Sequence, residues 1–393
     1  MYTRKKVKQK VKNSYKILLA IVVIAIVVAG IFSYMYLLKP STSSKPVSVT
    51  LYGAGSSLVN PLMSNWAFAY GQIQPVDAQD VQVSYASVGS GQGISEISQK
   101  PPLVNFGASD APLTSAQYSA LSATLVTIPE SISAVVPAYN LPGIGNGLNF
   151  TGSVLALIFL GNITYWNNPA IQALNPHVNL PDQPISVVHR SDASGTMFAF
   201  TDYLSLANKE WNDTPGLGKK TLPNWPVGVG KKGNEEVAGY IETTQYSIGP
   251  LEIAYEVLNK GLISYGAVQN AAGNFILANA TYIEDAAQAG ATSGLPAGNA
   301  SWTNVSIIDK IYNNATAAYA YPITTFTYVL ACQQQTDKTM GTALVNFLWW
   351  IVNSAQKGGT TEGYVPLPAN VVTIDDATIN SITYNGQPVH TGT

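Results

Sequence analysis

Past residue 16 the chain contains one arginine, Arg190, set in His189-Arg190-Ser191-Asp192-Ala193-Ser194-Gly195-Thr196. Every other basic residue of the body is a lysine, so Arg190 supplies its single planar, bidentate fork, a shape suited to an oxyanion. Asp192 is spaced to hold that fork. Ser194 and Thr196 can cap a following helix and also offer hydroxyls to an anion. Two other segments carry related chemistry. In Gly53-Ala54-Gly55-Ser56-Ser57 the glycines let backbone come close to a ligand while Ser56 and Ser57 offer hydroxyls and amides. Ser87-Val88-Gly89-Ser90-Gly91-Gln92-Gly93 repeats the pattern, with its third glycine one residue early for the dinucleotide fingerprint G-x-G-x-x-G. Asp110, in Asn105-Phe106-Gly107-Ala108-Ser109-Asp110-Ala111-Pro112-Leu113, adds an acceptor. A carboxylate beside an anion repels it unless the ligand brings a proton to donate, as phosphate does and sulfate at neutral pH does not. Taken singly, each segment also reads as a capped turn, and Asp110 as a turn acid.

The elements around these segments alternate. A β-branched run at 47–52 precedes a helix from about 61 to 70, one at 81–85 precedes a helix from 91 to 98, and one at 185–188 precedes a helix from about 195 to 206. This rhythm predicts an α/β fold, in which a ligand crevice forms where strand carboxyl ends feed helix N-termini. Pro112 bars a helix from running through the Asp110 segment, and Thr114 can cap the next one. His189, next to Arg190 in a strand-like stretch, should point to the opposite face.

Residues 1–16 are a basic leader without an acid, and Ile17–Leu38 follow as 22 residues without a charge. That is long enough for a transmembrane anchor and longer than the usual core of a removed signal segment, with the basic flank expected to stay cytoplasmic. Residues 39–46 read as a linker. The remaining 347 or so residues exceed one typical core and suggest two lobes. Setting aside the seven leader charges leaves 13 Lys and Arg against 22 Asp and Glu, a formal charge near minus nine. No basic patch suits nucleic acid, so none is expected as a partner. The only cysteine, Cys332, permits no intrachain disulfide, and no cofactor or metal constellation stands out. Seven Asn-x-Ser/Thr sequons, at Asn149, Asn162, Asn212, Asn279, Asn299, Asn304 and Asn314, suit a glycosylated exterior. Without disulfides or a lipidated cysteine, that combination points to a cell surface of archaeal type.

Taken together the segments follow a known order. GAGSS (53–57), GSGQG (89–93), NFGASDAPL (105–113), LNPHVNLP (174–181), VVHRSDASGT (187–196), GKKGNEEVAGYI (230–241), SIGPLEIAYE (247–256), YPITTFTYVL (321–330) and GYVPLP (363–368) run in sequence across nearly all of the outer domain. In these the chain resembles the phosphate-binding subunits of high-affinity phosphate ABC transporters, the PstS family, with a type II periplasmic-binding-protein fold. The resemblance implies a non-enzymatic, monomeric, extracytoplasmic receptor that closes two lobes on inorganic phosphate and delivers it to ABC permease subunits. It further implies that Ser57 binds phosphate by hydroxyl and amide and Leu58 by its amide, that Ser90 donates, and that Asp110 accepts the phosphate proton. Arg190 would supply the charged fork, Asp192 would position it, Ser194, Gly195 and Thr196 would complete the cage, and Ser56 would support it. Lobe one would comprise 47–131 plus 321–393 and lobe two 132–320. Leu58 stands where an aromatic is usual, Asn105 for a common aspartate, Ala193 for a common glycine and Pro250 for a tyrosine. Rival readings are the same fold with sulfate or molybdate, a non-transport surface protein, and a serine hydrolase, for which only His177, His189 and His390 could act as base.

Overall fold

Each β-branched run read from the sequence is a strand, and each strand outlasts its run. In the computed structural model, residues 46–259, 261–291, 294–303, 305–358 and 363–389 are described. The leader, the apolar segment 17–38, linker residues 39–45, His390 and the Asn304 sequon lie outside them. Strand β1 (Val47–Gly55) pairs in parallel with β2 (Gln79–Ser87) from Val47 opposite Gln79 to Gly55 opposite Ser87. The partner strand's ladder carries the glycines and serines that end both strands, which isolated propensity would leave as loop. The main sheet continues with β3 (Phe106–Ser109), β4 (Leu125–Asn140), β6 (Ser186–Arg190), β7 (Val229–Lys231), β8 (Ser247–Glu252), β9 (Ser264–Tyr265) and β12 (Thr324–Cys332). Its order is β2-β1-β3-β12-β4-β8-β6-β7, with β9 also on β4. A separate small sheet holds β5 (Asn149–Phe150), β10 (Ala267–Gln269) and β11 (Phe275–Ile276).

Strand β4 joins the two halves of the main sheet. Its first part, Leu125–Ala134, runs antiparallel to β12, and its second, Val135–Asn140, runs antiparallel to β8. A proline in a central strand removes a ladder donor, yet β4 holds two. Pro129 sits beside a slip in the β12 register, and Pro137 lies opposite Pro250 of β8, so the two rings face each other and neither needs a donor from its partner. Pro250, a departure from the family pattern, is thereby accommodated within a regular strand.

Helices follow strands where the chemistry lies: α1 (Asn60–Gln72) after β1, α2 (Ser90–Ile97) after β2, α3 (Gly195–Ala207) after β6, and α4 (Gly233–Thr243) after β7. Helix α1 buries Leu62, Met63, Trp66 and Tyr70, one apolar stripe at helical spacing. Tyr70 packs on Phe347 and Trp350 of α5 (Lys338–Asn353) with ring centroids 5.2 and 5.1 Å away, so that aromatic cluster fills core. Among the described residues no helix is long and apolar enough to cross a membrane.

Candidate functional site

The carboxyl ends of β1, β2, β3 and β6 bring the polar residues of four loops into one hydrogen-bonded cluster. From the first loop, Ser56, Ser57 and Leu58 are all buried. The Ser56 hydroxyl donates to Asp110 Oδ1 and accepts from the Leu58 amide at 3.0 Å. Ser90, at the first position of α2, donates to Asp110 Oδ2 at 3.2 Å, while its oxygen accepts from the Asp110 amide at 3.2 Å and from the Gly195 amide at 3.1 Å. Gly195 opens α3 against Asp110 so closely that any Cβ there would stand 2.4 Å from Asp110 Cβ.

Arg190 ends β6 and is only 1% exposed, so its charge must be paired. Asp192 does this with both oxygens: Nε donates at 2.7 Å and Nη2 at 2.5 Å. Burial alone would raise the Asp192 carboxyl; the guanidinium outweighs it and holds the group below its ordinary value. Gly89, at φ 91°, passes where a Cβ would lie 2.3 Å from Asp192 Oδ2, so a glycine is required on both counts. The remaining fork nitrogen, Arg190 Nη1, donates to Ser57 Oγ at 2.8 Å.

Ser57 Oγ receives two more donors, the Asn234 amide at 3.1 Å and Asn234 Nδ2 at 3.2 Å. Asn234 Nδ2 also donates to Thr196 Oγ1 at 3.1 Å, and its own Oδ1 is buried without a partner. Reading the sequence misses this residue, although Gly233-Asn234 repeats the glycine-then-polar helix start of the other loops. The loop is braced from behind: Tyr255 Oη donates to the Ser57 carbonyl and Tyr364 Oη to the Leu58 carbonyl, each at 2.7 Å. Ser194 stands apart by side chain. Its oxygen caps α3 by accepting from the Met197 amide at 3.3 Å, whereas Thr196, expected as a second cap, bonds Asn234 instead.

Asp110 is fully buried, and burial pushes its carboxyl up to about 6 even though Ser56, the Arg190 charge and Ser90 pull it down. With Asp192 taken up by Arg190, the cluster sets many donors around one further carboxylate acceptor, Asp110. Among the described residues it pairs no nucleophile with an imidazole base: His189 stacks on Trp225 with centroids 4.8 Å apart, its Nδ1 faces the Arg190 carbonyl, and His177 is exposed. Among the described residues no group of three or more His, Cys, Asp or Glu side chains could hold a metal ion.

The chain has relatives among known proteins. A model of the PBP superfamily domain matches residues 40–354. Phosphate-binding protein PstS of Xylella fastidiosa is 40% identical over 334 residues, 85% of this chain and 85% of that protein. Phosphate-binding protein PstS of Methanocaldococcus jannaschii is 32% identical over 362 residues, 88% of this chain and 89% of that one. The chain belongs to the PstS family. The PstS fold recurs at lower identity in solved structures. A high-affinity periplasmic phosphate-binding protein, PfluDING, bound with phosphate, superposes with a TM-score of 0.61 at 20% identity over 84% of this chain and 93% of that one. A phosphate-binding protein from Stenotrophomonas maltophilia gives 0.59 at 19% identity over 84% and 93%. The architecture is thus the two-lobe α/β periplasmic-binding-protein fold expected from the sequence. Of the departures from the PstS pattern, Asn105 accepts the Tyr52 amide at 2.8 Å, just before the β1–β3 ladder begins at Gly53, and Leu58 is core.

Proposed function

We propose that this protein captures inorganic phosphate between its two lobes and delivers it to an ABC permease, acting as a binding protein and not as an enzyme. The observation that carries this reading is the buried Asp110 carboxylate, which accepts from Ser56 and Ser90 in a cluster that also holds the donors Arg190, Asn234 and the helix-start amides. Donors alone would take any oxyanion; one acceptor selects a ligand that still has a proton to give. Ser57, Leu58, Ser90, Asp110, Arg190, Ser194, Gly195 and Thr196 are the phosphate contacts in this reading, with Ser56 and Asp192 supporting them.

The lobes would be 47–131 with 321–393 and 132–320, the division falling along β4 and β12. The body would work outside the cell, as a monomer held by residues 17–38, with glycans on exposed sequons. Asn162, Asn212, Asn279 and Asn299 are exposed, whereas Asn149 is half-buried with its amide donating to the Leu174 carbonyl. Calorimetry on a fragment starting at Val47, titrated with phosphate and then sulfate, tests the central claim. Tight phosphate binding and no sulfate heat are expected; sulfate or molybdate bound in preference would move the reading to another oxyanion, and a folded fragment that binds none of them would overturn it.

A further inference from the structure

Close to Asp110 lies a carboxylate that phosphate capture, as described so far, does not use. Glu130 is fully buried, and neither of its carboxylate oxygens has a hydrogen-bond partner. It also occupies an irregular place. Along β4 and β12, Ser131 faces Thr327 and Pro129 faces Tyr328, so Glu130 is the extra residue of a β-bulge. That bulge lies on the strand pair along which the two halves of the sheet are joined. The Glu130 carbonyl is fixed by Gln356 Nε2 at 3.0 Å, which ties the bulge to the turn after α5.

The groups whose charge or hydroxyl acts on Glu130 are Asp110, which follows β3, Tyr85 of β2, and Thr327, which flanks the bulge on β12. None of them is cationic. Thr327 Oγ1 lies near enough to ease ionisation without meeting hydrogen-bond geometry, and it too has no partner. An unpaired charge at such a place is far more costly than a neutral carboxyl. Burial first, and then the charge of Asp110, push Glu130 up to about 8.

We infer that Glu130 is a further affinity-determining residue of the cleft: it is carried as the neutral acid while phosphate is held, and its ionisation ends phosphate binding on the alkaline side. The inference rests on the phosphate reading above. Losing the proton to solvent would leave a second carboxylate charge beside Asp110, repelling the bound dianion, and would place an unpaired charge in the bulge that must stay packed for the lobes to stay shut. The other acids of the cage do not account for such a limit. Asp110 is already ionised there, and burial drives the Tyr85 and Tyr255 phenols further up, out of this range.

The test is the equilibrium phosphate affinity of the full-length protein in detergent, measured at constant ionic strength from about pH 6.5 to about pH 9.5, for the wild type and for Glu130→Gln. Referred to the concentration of phosphate dianion at each pH, the wild-type affinity should be level at first and then fall by close to tenfold per pH unit above about 8, with one proton taken up on binding. Glu130→Gln, neutral at every pH, should lose the alkaline limb: whatever its affinity at pH 7, it should keep that affinity to the top of the range. A wild-type profile that stays level to the top of the range overturns the inference without any variant, as does a limb that survives in Glu130→Gln. Should that variant not fold, Glu130→Leu serves the same comparison. A wild type that binds no phosphate at pH 7 fails the phosphate reading itself, an outcome distinct from a level profile.

Discussion

At the scale of single residues, the question is why one carboxylate should stand among so many donors. Above about 6, Asp110 is ionised and can only accept; below that it carries a proton and can donate. A ligand such as sulfate, with no proton to give, meets repulsion in the first state and a hydrogen bond in the second. Sulfate's disadvantage against phosphate, roughly 10⁴-fold for a site built around a ligand hydroxyl, should therefore shrink by up to about tenfold for each pH unit below 6. Competition titrations at pH 5 and pH 7.5 read this directly, and an unchanged ratio would remove Asp110 from the selectivity argument. Asp110→Asn fixes a neutral donor in place, so its ratio should be relaxed and level with pH. Ser57, Ser90, Asp110 and Arg190 were legible in the sequence because a polar residue on a glycine-bearing strand-to-helix loop has few structural reasons to be there. Asn234 was not, because its importance comes from contacts 177 and 38 positions away in the chain.

Elements position these residues, and α4 does so across the cluster. Its first turn gives Ser57 two donors and Thr196 one, so Asn234 ties the β1 loop to the start of α3. Asn234→Ala keeps the backbone donor and removes both side-chain bonds, each worth about 0.5–1.5 kcal/mol. If Asn234 latches the closed site, phosphate should dissociate about 10- to 100-fold faster while association changes by less than about threefold. Stopped-flow measurement separates the two rates; an unaltered off-rate would show that the amide only fills space. The sequence marked the strand-helix rhythm well, since β-branched runs and glycine loops are local signals. It did not mark β4 as a strand of 16 residues, because two prolines argue against one. Only the bulge at Pro129 and the facing ring of Pro250 make both tolerable, and neither can be read along one strand.

Over the whole molecule, acidity takes a form that composition does not reveal. A formal charge near minus nine on the body counts every acid alike, but the consequential ones are buried, and burial is not a property of sequence: Glu130 reads as an ordinary residue of Val126-Thr127-Ile128-Pro129-Glu130-Ser131. Asp110 is pushed up from 3.8 to about 6 and Glu130 from 4.5 to about 8, each chiefly by burial, and Glu252, Asp202 and Asp375 move in the same direction for the same reason. The half-buried Asp192 opposes them, through its pairing with Arg190. A group whose folded value is raised binds more protons in the native chain than in the unfolded one between the two values, so stability is fully present below the unfolded value and is lost as pH climbs through the folded one. The window set by Asp110 and Glu130 runs from about 4 to about 8, and the loss across it should reach at most roughly 8 kcal/mol, at about 1.4 kcal/mol for each pH unit that separates a group's folded value from its unfolded one. Self-repulsion of the acidic surface adds with the same sign. The ligand-free protein should therefore melt several degrees higher at pH 5 than at pH 8, by calorimetry or circular dichroism at fixed salt, and Glu130→Gln should flatten the slope most above pH 6. A midpoint that rises with pH would mean that these carboxyls find partners in the native state and are not held as neutral acids.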